Sequence, residues 1–279
     1  MSFFRLDSKV TQLKYIQDKS NSTKRIIWMD DEWENDKFQN FLKSLEQHLT
    51  KEKSIRNKRN QLFLIHANEN LGISKDIIIK KFKLLRFYDR FRLRFQKSKA
   101  VRSLEIGIAL FELGIKTPKP IALVETRNSL NKILYSYYIT EFEKYDCSLK
   151  EIIKDKNHPF HKKIHTFLPD IAKDIKKMHD AGIIHNDLHV GNILIKNLSL
   201  NPSFFYIDLN RGRIKKKLSI NNRLKDIARL RLKRNEQKIF LKNYGADFSE
   251  KLLNKLIKYR NQRRRFIRFK RNFRKLVKF

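Results

Sequence analysis

The chain has 279 residues, 41% of them hydrophobic, and carries 64 Lys+Arg against 29 Asp+Glu, a formal charge of +35. That apolar share excludes intrinsic disorder over most of the length, the single Cys147 excludes a disulfide framework or thiolate zinc site and suits a reducing compartment, and no apolar run of about 18 residues exists to cross a membrane. The opening Met1–Asp7 is too short and polar for a secretory signal, and the excess charge calls for an anionic partner: nucleic acid, an acidic membrane or a phosphorylated substrate.

In chain order, Arg25–Trp28 reads as a short strand. Asp31–Leu49 places Trp33, Phe38, Phe41, Leu42, Leu45 and Leu49 at helical spacing. Gln61–His66 and Asp76–Lys80 read as a strand and its return around a turn at Asn68–Gly72. Ser98–Leu113 predicts a helix stopped by Gly114, with Pro118 and Pro120 just beyond. Ile133–Phe142 predicts a strand, and Ser148-Leu149-Lys150-Glu151 a capping box opening a short helix. Phe160–His179 carries Ile164, Phe167, Leu168, Ile171, Ile175 and Met178 on one face; Gly182 ends it, and Pro169 is expected to kink or split it. Two short strands follow, Asn192–Lys196 and Phe204–Asp208, and everything from Leu218 on reads as helix. These elements predict an α+β, bilobal architecture. An N-terminal extension (1–59) precedes a small β-rich lobe (60–142) and a larger helical lobe (143–279), with the lobe boundary near Glu141–Tyr145.

The charge is uneven. Arg211–Phe279 holds 26 basic and 4 acidic residues, and Lys80–Arg102 holds 10 basic and 1 acidic. Arg260–Phe279 has no acidic residue, while Phe266, Ile267, Phe269, Phe273, Leu276 and Val277 recur at helical intervals. That pattern is a cationic amphipathic helix suited to an anionic membrane interface; a terminal helix docking its Phe stripe on the large lobe gives the same periodicity.

The chemistry concentrates in Ile184-His185-Asn186-Asp187-Leu188-His189-Val190-Gly191-Asn192-Ile193-Leu194-Ile195. An Asp followed five residues later by Asn, between a finished helix and a strand, is the catalytic-loop spacing of phosphoryl transfer. A carboxylate there accepts the proton of an attacking hydroxyl, and an amide oxygen binds a magnesium ion without adding charge. A second ion ligand is expected on the next hairpin, where Asp208 lies 16 residues after Asn192. Upstream, the site needs a strand Lys. Lys80 supplies it, with Ile78 on the same face against an adenine, and Lys81 is the rival. Its acidic partner on the following helix is Glu105 or Glu112.

At this point the chain resembles the bacterial lipopolysaccharide core kinases, the heptose and Kdo kinases. The resemblance runs through Lys80, Ser98-Lys99-Ala100-Val101-Arg102, Leu113-Gly114-Ile115-Lys116-Thr117-Pro118-Lys119-Pro120-Ile121-Ala122-Leu123-Val124-Glu125 and His185–Leu194, within roughly Gln61–Leu232. It implies a bilobal kinase fold, ATP and Mg2+, and phosphate transfer to a sugar hydroxyl of the lipid A–core region. The expected catalytic group is Asp187, Lys80 and His185. The expected nucleotide set is Lys80, Ile78, Glu105, Glu141, Asn192 and Asp208, with Asn192 and Asp208 as metal ligands. Expected partners are a lipopolysaccharide core or lipid A precursor and an anionic membrane surface on the cytoplasmic face of the inner membrane, with nucleic acid disfavoured.

The sequence also departs from protein kinases. No Gly-x-Gly-x-x-Gly loop exists, and of seven glycines only Gly72 lies near the hairpin expected to cover the phosphates. Asn186 stands where regulated kinases carry Arg, and Leu209-Asn210 follows the metal Asp instead of Phe-Gly. A switchable activation loop is therefore not expected. Asp187-Leu188-His189-x-x-Asn192 also resembles the loop of antibiotic phosphotransferases, so an aminoglycoside-type enzyme is one alternative, although +35 is a poor host for a polycationic substrate. A basic, nucleic-acid-associated kinase-like protein is the other.

Overall fold

A computed structural model describes residues 16–20, 23–57, 60–83, 93, 95–245 and 249–276. Its contacts divide the chain into two units. One comprises 1–112, 117–144 and 209–211; the other comprises 113–116, 145–208 and 212–279.

The first unit is built on an antiparallel sheet. Its strands are β1 (Ile16–Ser20), β2 (Thr23–Met29), β3 (Arg56–Asn57), β4 (Asn60–Ile65), β5 (Ile77–Phe82), β6 (Pro120–Asn128) and β7 (Ile133–Glu141), in the order β1-β2-β6-β7-β5-β4-β3. Alternation along the strands gives the sheet two apolar faces. On one, Ile27, Phe63, Ile65, Ile77, Ile79, Val124, Tyr137 and Ile139 pack against Phe38, Phe41 and Leu42 of α1 (Asp36–Lys43) and Leu45 and Leu49 of α2 (Leu45–Lys51). On the other, Trp28, Phe82, Leu123 and Tyr138 pack against Ala100 and Leu104 of α3 (Lys99–Glu112). Much of the segment expected as an N-terminal extension thus supplies three strands of the sheet, β1, β2 and β3, and the cover of one sheet face.

The single helix expected over Asp31–Leu49 is broken into three pieces. A 3-10 turn at Asp31–Trp33 comes first; Asn35 then caps α1 by accepting from Phe38 N–H at 2.8 Å. Ser44 ends α1, its hydroxyl donating back to the Asn40 carbonyl at 2.8 Å, a local bond that competes with helix continuation. β6 was not among the expected strands. Eight of its nine residues are buried, because helices cover both faces of this central strand, so its apolar half, Pro120–Val124, shows no alternation, and its buried second half, Glu125–Arg127, is polar. Gly107 lets α3 approach closely: a Cβ there would lie 2.7 Å from Tyr138 Oη and 2.8 Å from Pro120 Cγ. Gly114, at φ +65°, follows the helix end as expected.

The second unit centres on α5 (Ile164–Asp180), which runs unbroken through Pro169 and is followed by Gly182 at φ +76°. Before it, β8 (Cys147–Ser148) leads into α4 (Leu149–Lys154) through the expected capping box: Ser148 N–H donates to Glu151 at 2.6 Å and Glu151 N–H to Ser148 Oγ at 3.4 Å. After it come β9 (Ile183–Ile184), β10 (Ile193–Lys196), β11 (Ser203–Tyr206) and β12 (Arg213–Ile214), paired as β11-β10-β8 and β12-β9. The chain continues as α6 (Ile220–Ile227), α7 (Arg234–Tyr244) and α8 (Glu250–Leu276). α8 divides along its length. Leu253 and Leu256 are buried at 1% and 0% exposure, whereas Phe266, Phe269 and Phe273 are 57%, 66% and 55% exposed. The Phe stripe is therefore not docked on its own unit. Among the described residues no helix is long and apolar enough to cross a membrane.

Candidate active site

The loop after β9 is held from below by Asp226. This carboxylate on α6 is 1% exposed and accepts the backbone N–H groups of His185 and Asn186, both at 2.9 Å. His179 Nε2 lies 3.5 Å and Arg229 Nε 3.4 Å from the same carboxylate. Burial pushes Asp226 upward, but the hydrogen bond and charge of His179, with further pull from His185 and Arg229, outweigh it and keep its pKa below the ordinary value. With its N–H pinned, Asn186 turns through φ +60°, a conformation Asn tolerates better than most residues, and the chain reverses into Asp187.

His185 is buried, and both its ring nitrogens face backbone. Nδ1 accepts from Asp187 N–H at 3.2 Å, and Nε2 lies 3.1 Å from the Ile207 carbonyl. That arrangement suits orienting Asp187 and the β11 end rather than transferring a proton. Asn192 is also buried. Its Nδ2 donates to the Asp187 carbonyl at 2.9 Å, which leaves Oδ1 as the atom a cation would use, and its own carbonyl accepts from Ile207 N–H at 3.0 Å. The β10–β11 hairpin thus ties Asn192 to the residue before Asp208, and Asp208 adopts φ +62°. Asp187 and Asp208 both remain partly solvent-accessible. An amide oxygen plus a carboxylate is the hard-donor pair that suits magnesium, which takes its other ligands from water and phosphate. Among the described residues no group of three or more His, Cys, Asp or Glu could enclose a metal by itself.

In the sheet unit, register separates the two candidate lysines. Lys80 lies between Leu62 and Tyr138, on the α3 face with Phe82, whose ring centroid is 5.2 Å from Lys80 Nζ. Lys81 points to the opposite face, 5.5 and 5.6 Å from the rings of Tyr135 and Tyr137. Ile78 shares the Lys80 face, as period 2 requires. Glu105, one of the two candidate partners of Lys80, has its carboxylate 2.5 Å from Lys97 Nζ, and Glu141 pairs with Lys75 at 3.2 Å.

Two positioning residues escaped the sequence reading. Asp226 is the first. The other is Arg102, buried on α3, whose guanidinium donates to the Asn210 carbonyl at 3.0 Å and the Lys97 carbonyl at 2.9 Å. Arg102 thereby fixes the segment just past Asp208. The signal for Asp226 was its isolation, as one of 4 acidic residues among 26 basic ones from Arg211 on.

Comparison with known proteins follows these features. The chain is 28% identical over 142 residues, 51% of its length, to a probable bifunctional tRNA threonylcarbamoyladenosine biosynthesis protein of Methanococcus maripaludis strain C5. The strain C6 protein matches equally, and the chain spans only 22% of the length of these curated relatives. Among solved structures, WaaP in complex with acyl carrier protein superposes with a TM-score of 0.58 at 18% identity, covering 85% of this chain and 97% of that one. The fold is thus the mixed α+β, kinase-like one that the resemblance implied. A family model spans residues 57–259, from β3 into α8 and through every loop described above, and by that match the chain belongs to the lipopolysaccharide kinase (Kdo/WaaP) family.

Proposed function

We propose that the protein is an ATP-dependent kinase that phosphorylates a sugar hydroxyl, heptose or Kdo, of the lipopolysaccharide inner core. The observation that carries this reading is the loop itself: Asp187 is oriented by His185, clasped by Asn192 and anchored through buried Asp226. In this reading Asp187 accepts the proton of the acceptor hydroxyl as its oxygen bonds to the γ-phosphorus and ADP departs. Lys80 holds the nucleotide phosphates, and Ile78 lies against the base. Asn192 Oδ1 and Asp208 would hold magnesium, which when bound offsets charge on the transferred phosphate.

The acceptor class sets the location. A lipid-linked core is met at a membrane, and the cationic end of α8 with its exposed Phe266, Phe269 and Phe273 supports peripheral attachment to the anionic cytoplasmic face of the inner membrane. Each Lys or Arg near such a leaflet contributes about 1 kcal/mol. Co-sedimentation with anionic vesicles should be lost in a chain ending at Tyr259; retained binding refutes the attachment. For the reaction, purified protein with γ-labelled ATP and dephosphorylated core oligosaccharide should transfer label to the sugar. Absence of transfer to any core acceptor, with intact ATP binding, removes the acceptor assignment.

A second reading has its own support. The curated tRNA-modification relatives and the +35 charge favour a kinase-like module working beside RNA. Salt-dependent RNA binding without label transfer to core sugars would establish it over the first.

A further inference from the structure

We infer that Arg56 is an anion-binding residue for the nucleotide phosphates, doing with a guanidinium what a glycine-rich hairpin does with backbone amides. The inference rests on the kinase reading above. Its basis is one row across the sheet. Trp28 opposes Leu123, Leu123 opposes Tyr138, Tyr138 opposes Lys80, Lys80 opposes Leu62, and Leu62 opposes Arg56. Directly opposed residues project to the same face. Trp28, Leu123 and Tyr138 lie in the cluster that packs on α3, while the alternate residues Phe63 and Ile65 lie in the other. Arg56 therefore shares the Lys80 face, two strand spacings away, about 10 Å between backbones. Two long cationic side chains close that interval around a polyphosphate.

The glycines support the same conclusion. The sequence has no glycine before Gly72, so the stretch joining β3 to β4 carries no glycine-rich phosphate motif. Gly72, the glycine read in the turn between Gln61–His66 and Asp76–Lys80, sits in that β4–β5 connection at φ +67°. A Cβ on it would collide with the Asn35 side chain and lie 2.7 Å from Phe38 N. Its smallness accommodates the start of α1, not a ligand. Arg56 is exposed on the edge strand, and Lys83 Nζ bonds to the side chain of Asn57 beside it, tying β3 to the residue after β5. Guanidinium is the side-chain group best matched to phosphate oxygens.

The test is calorimetric titration of the full chain with Mg-ATP, ADP and adenosine, for wild type, Arg56→Lys, Arg56→Ala and Arg56→Glu. Thermal unfolding serves as a check on folding. Arg56→Ala should weaken ATP about 10- to 100-fold, the range for losing a charged hydrogen bond. Arg56→Glu should weaken it more and Arg56→Lys less, while adenosine affinity stays as in wild type. An edge-strand cation that only discourages strand pairing leaves all three ligands unaffected. Unchanged ATP affinity in Arg56→Glu overturns the inference, as does equal weakening of ATP and adenosine. Wild-type protein that binds no ATP overturns the kinase reading along with it.

Discussion

Replacing Asp226 should damage both stability and turnover, and the structure sets the scale. In Asp226→Ala, the backbone N–H groups of His185 and Asn186 lose their acceptor inside the protein, and Arg229 loses its opposite charge. Each buried group left unsatisfied costs about 1–3 kcal/mol, and breaking a buried charged pair costs about 3–5 kcal/mol. Because these effects overlap, a total of about 3–5 kcal/mol is expected. Asp226→Asn keeps the shape and one acceptor oxygen, so it should lose about half of that. Urea unfolding followed by far-UV circular dichroism measures the stability. Activity should fall as well, because Asn186 and its neighbour Asp187 are aimed by these two bonds. A displacement near 1 Å costs about 10²-fold in rate, read as kcat in the Asn variant at a temperature where it is fully folded. Wild-type stability in Asp226→Ala, or wild-type kcat in a folded Asp226→Asn, would refute the anchoring role.

Asp174 gives a pH signature. Burial raises its pKa from 3.8 to about 6, opposed by the hydrogen bond from Tyr206. The folded state therefore holds this proton more tightly than the unfolded chain, so the contribution of Asp174 to stability rises as pH falls from about 6 toward 4 and is lost as pH climbs through 6. The difference between wild type and Asp174→Asn should show this slope; a pH-independent difference contradicts it. For the ion ligands, Asp208→Ala should weaken Mg-ATP binding more than Asn192→Ala, because a charged oxygen holds magnesium more strongly than an amide. Equal and undiminished affinity in both would mean the ions are held elsewhere.

What the sequence made legible follows from distance along the chain. The catalytic loop was readable because its chemistry lies within a few residues: Asp187, Asn192 and the capping and turn residues around them. That Lys80 and Lys81 point to opposite faces was readable from strand alternation, but which of them shares a face with α3 depends on register, which the sequence leaves open. Asp226 was not readable as an anchor, since its partners His185 and Asn186 lie 41 and 40 positions earlier. β6 escaped because burial on both faces erases the period-2 pattern, Pro118 precedes it and Pro120 opens it. The basic stripe of α8 was visible in composition, yet only the structure separates its docked Leu253 and Leu256 from the exposed Phe266, Phe269 and Phe273.

The central claim is that Asp187 is the base for phosphate transfer from ATP to the lipopolysaccharide core. The most direct measurement is mass spectrometry of core oligosaccharide from cells lacking the gene, complemented with wild type or with Asp187→Asn. Wild type should restore one phosphate on an inner-core sugar. Asp187→Asn, expressed and folded to the same level and still binding ATP, should leave that phosphate absent or strongly depleted, as a turnover loss of about 10²–10⁴-fold requires. Full phosphorylation by Asp187→Asn, or a core unchanged by loss of the gene, would contradict the account.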